Sequence, residues 1–447
     1  MSIGRLPRWL ILLAVAIAAR AITFGNPILH VDEEFYFVAA RAMIDGALPF
    51  VDVWDRKPIG LFLIYAPAAA LGYPAGIWAY QALALACLVA TAVLAARLAE
   101  RAGWQRGALA AGIAVILWPN LIDGQGGQAP IFYNLLMIAA AALIVRGEGE
   151  ASAGRRFVQG LAAMALVGVA LQVKYAAVFE GLFFGLWLLW REWRAGRRIA
   201  RGARGAVPPA GVALAPTLIA WAAYATQGQG DAWLYANFLS ILDRNPDRAL
   251  EQFANLAAII LILSPLLAAA ALGWRYRGTS PTAGFLFAWA LAAAGGLLVF
   301  GSYFEHYALP LIPPLAICAA AFLGTHRRFA AWMLVLAFLG GQVLLLTKRA
   351  ARGTPSEVAA IVQVIGPGPG CLHVYSGTTM LYPMTRRCAV TRWLFPSHLS
   401  RTRERGAIGV EQEAEIDHIL AQRPEWVAMR KPYRGERPEV RARMLAG

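Results

Sequence analysis

The sequence predicts a polytopic α-helical membrane protein, with interfacial helices in its first outer loop and a small α/β domain at its C-terminal end. Three observations carry the membrane prediction. The 447 residues are 59% hydrophobic and 15% charged, and their mean hydropathy is +0.53, a balance that soluble domains do not show. Apolar runs recur at lengths near the roughly 20 residues that a membrane span needs. From about Arg349 those runs stop and the composition turns to that of a soluble domain.

Eleven spans are expected, at roughly 8–25, 75–98, 107–121, 131–146, 157–173, 176–190, 208–226, 253–273, 283–300, 307–323 and 328–347. The first 25 residues imitate a signal peptide, with Arg5 and Arg8 ahead of an apolar run. Arg20 and the many later spans point instead to an uncleaved first span. Ile59–Gly72 is apolar but short and is interrupted by Pro67, so it reads as an interfacial or re-entrant helix that does not cross. The positive-inside rule agrees. With the N-terminus in the cytoplasm, inner loops hold eighteen Lys/Arg, including Arg191, Arg194, Arg197, Arg198, Arg201 and Arg204. Outer loops hold six, Arg41, Arg56, Lys57, Lys174, Arg244 and Arg248. The net charge of +15 thus lies in loops between spans and is not a nucleic-acid signal. The resulting division is a membrane domain, 1–348, with a first outer loop at 26–74, and an extracytoplasmic domain, 349–447.

The chain is organised around His30–Gly60. Asp32, Glu33 and Glu34 open a stretch in which Phe35, Val38, Ala39, Ala42 and Met43 share one helical face. Such a helix beside membrane spans reads as lying at the bilayer surface. Its far end leads through Gly46 and Pro49 to Asp52, Trp54, Asp55, Arg56, Lys57 and Pro58. In the C-terminal region, Pro355–Ile365 reads as a helix, GPGPG as a turn, Leu372–Tyr375 as a strand and Thr378–Met384 as a short helix. Ala389–Trp393 reads as a strand, Glu411–Gln422 as a helix and Trp426–Met429 as a last strand. Cys371 and Cys388 open successive strands there. A disulfide would suit an oxidising compartment, whereas βα units often keep cysteines apart. Cys87 and Cys318 read as packing residues within spans, and no CxxC pattern occurs.

These residues resemble the GT-C glycosyltransferases, in particular the branch that holds bacterial protein O-mannosyltransferases, lipid A aminoarabinose transferases and related family 39-type enzymes. The likeness lies in Asp32-Glu33-Glu34-Phe35-Tyr36, then Ala40 to Gly46, then Asp52, Asp55, Lys57 and Pro58. It continues in Lys174 within LQVKYA, in His306-Tyr307 ahead of PLIPPLAI, and in an outer C-terminal domain. Two departures bear on substrate details: Ile59 follows Lys57-Pro58 where the family often has a second proline, and Gln128 stands where relatives often carry a Glu. The resemblance implies transfer of one sugar, a hexose or pentose, from a polyprenyl-phosphate carrier to a lipid, glycan or protein acceptor on the outer face. It also implies that the first acid of the Asp-Glu pair is the catalytic base.

The residue types suit that chemistry. A lipid monophosphate is already a good leaving group, so the site must deprotonate an acceptor hydroxyl, hold the donor and stabilise charge on the departing phosphate. A single base implies inversion at the anomeric carbon. Asp32 is therefore read as base and Glu33 as its neighbour; the structural alternative is an N-cap with acids in the first helical turn. Lys57 is read as a ligand of the donor phosphate, against a snorkelling anchor. Lys174, flanked by apolar residues, is read the same way, because a charge there is costly unless paired or functional. Arg20 has a similar argument, against pairing with Asp32 or Glu33. His306, beside Glu305, Tyr303 and Tyr307, is a candidate for the donor phosphate or sugar, against a structural histidine. Tyr36, Asp55 and Tyr307 are substrate-binding candidates. Glu34 is expected to face water, Asp45 to pair with Arg41 at the surface, and Arg56 to be the exposed partner of Asp55. The outer loop Gln227–Gln252, with Asp231, Trp233, Tyr235, Asn237, Arg244 and Asn245, is a candidate sugar-binding wall. No cofactor or metal is expected to be required; the alternative is a divalent cation held by Asp32 and Asp123. A lipid or solute transporter is the competing function, but no repeat relates the two halves and charges gather at one face rather than at mid-membrane. A non-catalytic scaffold would leave the acid-rich helix and Lys174 unexplained. Replacing Asp32 by Asn discriminates among these readings, since only an enzyme must lose turnover.

Overall fold

A computed structural model describes residues 6–150, 152–194 and 199–447, with side-chain surroundings left undescribed over 199–208. Arg5, Arg197 and Arg198 of the basic clusters lie outside the described residues, as do the side chains of Arg201 and Arg204. The helices in chain order are α1 (Arg8–Arg20), α2 (Val31–Ile44), α3 (Ile59–Ala70), α4 (Ala75–Arg101), α5 (Ala108–Leu117), α6 (Ala129–Glu148) and α7 (Ala153–Leu171). There follow α8 (Val178–Arg194), α9 (Ile199–Ala225), α10 (Gly230–Leu234), α11 (Ala249–Gly273), α12 (Pro281–Phe300), α13 (Ile312–Leu323) and α14 (Arg327–Arg352). The C-terminal stretch adds α15 (Pro355–Ile365), strand β1 (Leu372–Val374), α16 (Leu381–Thr385), α17 (Pro396–Ser400), α18 (Gln412–Ala421), strand β2 (Trp426–Ala428) and α19 (Pro438–Ala446).

Each of the eleven expected spans falls on helical structure. Among the described residues, seven helices are long and apolar enough to cross a membrane, and the chain is a multi-pass membrane protein. The remaining expected spans coincide with α1, α8 and the shorter apolar helices Ala108–Leu121 and Pro209–Ala225. Helix α3 has 12 residues. At 1.5 Å per residue it reaches roughly 18 Å, well short of the ~30 Å hydrocarbon core, in keeping with a segment that does not cross.

The chain divides into two compact units. The first comprises residues 1–24, 81–218 and 249–348. Its centre is α13, which is apolar all round and almost wholly buried, as expected of a helix surrounded by other helices. Two glycines allow that close fit: a Cβ on Gly107 would lie 2.0 Å from the Ala320 carbonyl oxygen, and one on Gly273 would lie 2.4 Å from that of Cys318.

The second unit is assembled from 25–80, 219–248 and 349–447, so the first outer loop and the C-terminal region share one core. Helices α2 and α3 pack through aromatic pairs, Phe35–Phe62 at 6.4 Å and Tyr36–Tyr65 at 5.6 Å. Phe35 also meets Phe395 at 5.3 Å. This corrects the expectation that only one face of the helix is covered. Every residue from Glu33 to Ala40 is buried, because FYFVAA is apolar around the whole circumference and α3 and the segment around Phe395 cover different sides.

In the C-terminal stretch, β1 and β2 pair in parallel. The expected strand Ala389–Trp393 contracts to one bridge, Ala389 with Leu372. Thr354 and Glu357 form a capping box that starts α15, and Cys371 is disulfide-bonded to Cys388. Arg387 donates to the carbonyls of Ile365, Gly366 and Gly370 and pairs with Glu425 at 2.6 Å, which fixes the GPGPG turn.

The buried electrostatic centre of this unit is Glu404. Arg56 pairs with it at 2.6 Å and Arg244 at 2.5 Å. Arg56 also donates to the Ser240 hydroxyl at 2.9 Å and to the Ala407 carbonyl. Arg56 is thus a buried tie rather than the exposed partner of Asp55. Asn245 donates to the Arg405 carbonyl at 2.8 Å. Arg244 and Asn245 of the proposed sugar wall therefore secure the C-terminal region. Burial opposes ionisation of Glu404, but the guanidiniums of Arg56 and Arg244 outweigh it and hold its pKa at about 2. Replacing Glu404 by Ala leaves two guanidiniums without their shared acid. It is expected to destabilise the protein by about 3–5 kcal/mol, read as a fall in the thermal midpoint in detergent. Because the folded pKa lies below the ordinary value, the wild-type contribution is present above pH ~4.5 and is lost as pH falls toward ~2.

Candidate active site

The acid-bearing turn is set by His30, not by an acid. His30 is the N-cap of α2, and its Nδ1 accepts the Asp32 N–H at 3.2 Å. Asp32, Glu33 and Glu34 therefore fall in the first turn, where unsatisfied N–H groups and the helix dipole favour negative charge. Asp32 keeps some solvent contact, and one carboxylate oxygen lies 3.8 Å from His30 Nδ1. Glu33 is fully buried. The phenol of Tyr65, packed between Tyr36 and Tyr80, lies within the field of Glu33 and Asp32.

Glu34 does not face water. It is buried, and the Thr378 hydroxyl and the Thr379 amide act on its carboxylate. Burial is the largest influence on it and pushes its pKa up to about 7, against the lowering effects of Thr378, Arg352 and Thr379. The charge of Asp32 adds to the rise.

Lys57 follows the loop after α2. Its Nζ lies 3.3 Å from an Asp55 carboxylate oxygen and stands over the rings of Phe395 at 5.5 Å and Tyr36 at 5.6 Å. A side-chain exposure of 23% leaves this ammonium reachable, while the buried Asp55 takes the Arg56 N–H at 2.6 Å. His398 lies 3.9 Å from Asp55, beneath Trp54 at 4.7 Å. Burial drives its pKa well below the usual histidine value, so the ring is neutral. The second unit thus brings together Asp32, Glu33, Tyr36, Asp55 and Lys57. Sequence reading missed His30, Glu34, His398 and Glu404. The spacing of His30 two residues ahead of Asp32 was an available capping signal; nothing local marks His398 or Glu404.

The other candidates belong to the first unit. Lys174 sits over the ring of Tyr307 at 4.6 Å and that of Phe300 at 5.9 Å, a cation–π setting that tolerates an ammonium among apolar residues. His306 meets Tyr307 at 4.7 Å and stacks with Phe304 at 6.0 Å. Arg20 is buried and donates to the carbonyls of Gly124 at 2.5 Å and Gly126 at 3.2 Å, steadying the loop after α5. Asp123 in that loop is ion-paired with Lys348. Glu180, not singled out in the sequence, accepts from the Trp289 indole at 2.6 Å.

The surface pair Arg41–Asp45 is present at 2.6 Å, as expected from its i,i+4 spacing. Glu34 generates a pH prediction. Its folded pKa lies above the ordinary value of 4.5, so the folded state binds the proton more tightly. Stability should be greatest below pH ~4.5 and fall as pH rises toward ~7, by about 3 kcal/mol in all for this one group. In Glu34→Gln this slope should vanish from thermal midpoints measured between pH 5 and 8; an unchanged slope would refute the assignment.

No protein-family model matches the sequence, and no curated protein matches it either. Solved structures do. ArnT from Cupriavidus metallidurans in the apo state matches with a TM-score of 0.67 and 18% identity, over 91% of this chain and 90% of that one. The same enzyme bound to undecaprenyl phosphate matches with a TM-score of 0.66 and 17% identity, over 87% of each chain. The oligosaccharyltransferase of Archaeoglobus fulgidus matches with a TM-score of 0.48 and 12% identity, over 78% of this chain and 54% of that one. ArnT is a GT-C membrane glycosyltransferase. At this level of identity and coverage the common property is the fold: the chain has the GT-C architecture along nearly its whole length.

Proposed function

We propose that this protein is a membrane glycosyltransferase that moves a single sugar from a polyprenyl-phosphate carrier to a lipid, glycan or protein acceptor on the outer face of a bacterial inner membrane. The observation that carries the reading is the pairing, within one unit, of an acid-bearing helix start with a reachable lysine. Asp32 lies in the first turn of α2, and Lys57 stands over Tyr36 of the same helix. The GT-C fold supports the reaction class, and the undecaprenyl phosphate bound to ArnT supports a lipid-phosphate carrier. The disulfide Cys371–Cys388 supports an oxidising compartment for the C-terminal region.

Asp32 takes the proton of an acceptor hydroxyl as that oxygen attacks the anomeric carbon. The bond from that carbon to the phosphate oxygen breaks, and the electron pair leaves with polyprenyl phosphate, giving inversion. His30, which accepts the Asp32 amide N–H, fixes the carboxylate's starting position. Glu33, expected to orient the acceptor, is wholly buried beside Asp32 and is assigned to supporting it from behind. Lys57 stabilises the charge gathering on the leaving phosphate, and Asp55 holds that ammonium in place. Tyr36 lines the same surface. Lys174, His306 and Tyr307 of the first unit are assigned to donor binding on the strength of their own surroundings, above all the cation over Tyr307; Arg20, expected to join them, is buried and braces the Gly124 and Gly126 carbonyls instead. No metal is assigned, because a monophosphate leaving group asks for less neutralisation than a diphosphate and lysines are at hand.

The test is release of polyprenyl phosphate from a panel of polyprenyl-phosphate sugars by purified protein with envelope lipid present. Asp32→Asn should lower turnover by about 10²–10⁴ while the fold is kept. Lys57→Met should cost about 10²–10³, and EDTA should leave the rate unchanged. Turnover that survives Asp32→Asn, or no release from any donor, would sink the proposal.

A further inference from the structure

The second unit carries a short helical stretch whose polar side chains face inward and whose apolar ones face outward. Helix α10 continues through a wider π-helical turn, Tyr235–Leu239. Trp233, Ala236, Asn237 and Ser240 are buried, at the i, i+3, i+4 and i+7 positions of one helical face. Two of these four are polar. Asn237 donates to the Trp233 carbonyl at 2.9 Å. The Ser240 hydroxyl donates to the Ala236 carbonyl at 3.1 Å and accepts from Arg56 Nε at 2.9 Å. The Tyr235 ring lies against the C-terminal region, where a Cβ on Gly409 would stand 3.3 Å from it.

The outward side is apolar. Leu234, Phe238, Leu239, Ile241 and Leu242 are between 38% and 78% exposed, and no charged residue occurs from Ala232 to Leu242. Charges stand only at the ends, in exposed Asp231 before the stretch and exposed Asp243 after it. A helix facing water shows the reverse arrangement, with its polar side chains outward. Large apolar side chains in water are normally scattered rather than contiguous. In the chain the stretch lies between two apolar helices, six residues after α9 and six before α11. Its eleven residues are largely helical. They reach roughly 16 Å at 1.5 Å per residue, too short to cross a hydrocarbon core of ~30 Å.

We propose that Ala232–Leu242 is immersed in one leaflet of the bilayer, where Leu234, Leu239, Ile241 and Leu242 bind lipid acyl chains and Asp231 and Asp243 mark the level of the head groups. Lipid tails suit this face because they ask for no hydrogen bonds. A sugar-binding wall, expected of this loop from its composition, needs polar groups outward, and here Asn237 and Ser240 are buried. The inward side of the same helix holds Arg56, the neighbour of Lys57 in the chain. None of the residues assigned to sugar transfer lies in the stretch, so the proposal stands or falls apart from the catalytic reading.

Spin labelling of the full-length protein in phospholipid nanodiscs tests it. Cys87 and Cys318 are replaced by Ala and the Cys371–Cys388 disulfide is kept. Nitroxides are then attached singly to Leu239→Cys, Leu242→Cys and, as the water-facing reference, Asp231→Cys. Labels at Leu239 and Leu242 should relax faster with oxygen, which concentrates in hydrocarbon, than with a water-soluble nickel chelate. The label at Asp231 should show the opposite order. A second measurement leaves the native cysteines in place: a photo-reactive phenylalanine analogue substituted for Leu242 should cross-link to phospholipid. Faster relaxation by the chelate at Leu239 and Leu242, or no lipid adduct, would overturn the proposal. So would a cross-linked dimer with dipolar broadening between labels at Leu242, since a second copy of the chain would then cover this face.

Discussion

A carboxylate removed from water must be matched by donors, by cations or by a proton, and the first turn of α2 carries three carboxylates of which Asp32 keeps solvent contact. The positive end of the helix provides the common stabilisation. Beyond that, the three part company. Asp32 is held by the hydrogen bond that its backbone N–H donates to His30 Nδ1 and keeps some solvent contact. Glu33 turns into the interior of the chain. Glu34 is buried, with a pKa pushed up to about 7. Like charges in one turn are tolerable when their environments differ, and that difference leaves Asp32 as the one acid of the three that keeps solvent contact.

The lysine side of the site follows the same logic. Lys57 gains a carboxylate partner and two aromatic faces, yet about a quarter of its side chain remains exposed. Arg56 next to it is committed to Glu404 and Ser240 in the interior of the second unit. Adjacent cations therefore have opposite fates. The difference comes from their geometry: a planar guanidinium can satisfy several fixed acceptors at once, whereas a compact ammonium suits a mobile anionic ligand. Glu404 also takes Arg244, so one buried acid links the first outer loop, the 219–248 segment and the C-terminal region into a single core. That construction gives α2 the rigid support that a base needs if it is to meet an acceptor hydroxyl in a fixed place.

Much of the architecture was legible in the chain itself. Hydropathy placed eleven helices, because a span must bury its backbone polar groups locally and so advertises itself by length and composition. The brevity of Ile59–Gly72 and its Pro67 marked a helix too short to cross. The GPGPG turn and the i,i+4 pair Arg41–Asp45 are signals within a few residues of one another, and each holds in the structure. The acid-lysine motif stood out because charged residues are scarce between apolar segments.

What the tertiary structure decided was the identity of partners. Glu404 lies 348 residues from Arg56 and 160 from Arg244, and no local pattern encodes such distances. The short strand expected at Ala389–Trp393 reduced to a single bridge, since a strand exists only where a neighbour supplies its hydrogen bonds. Helix α2 is covered on more than its expected single face because burial depends on what packs around a helix, and Phe395 comes from the far end of the chain. The sequence by itself determined where helices form and which residues carry charge. Only the folded chain determined which of those charges are buried, with whom they pair, and which remain open to a substrate, because desolvation and Coulomb energies depend on distances that chain order does not specify.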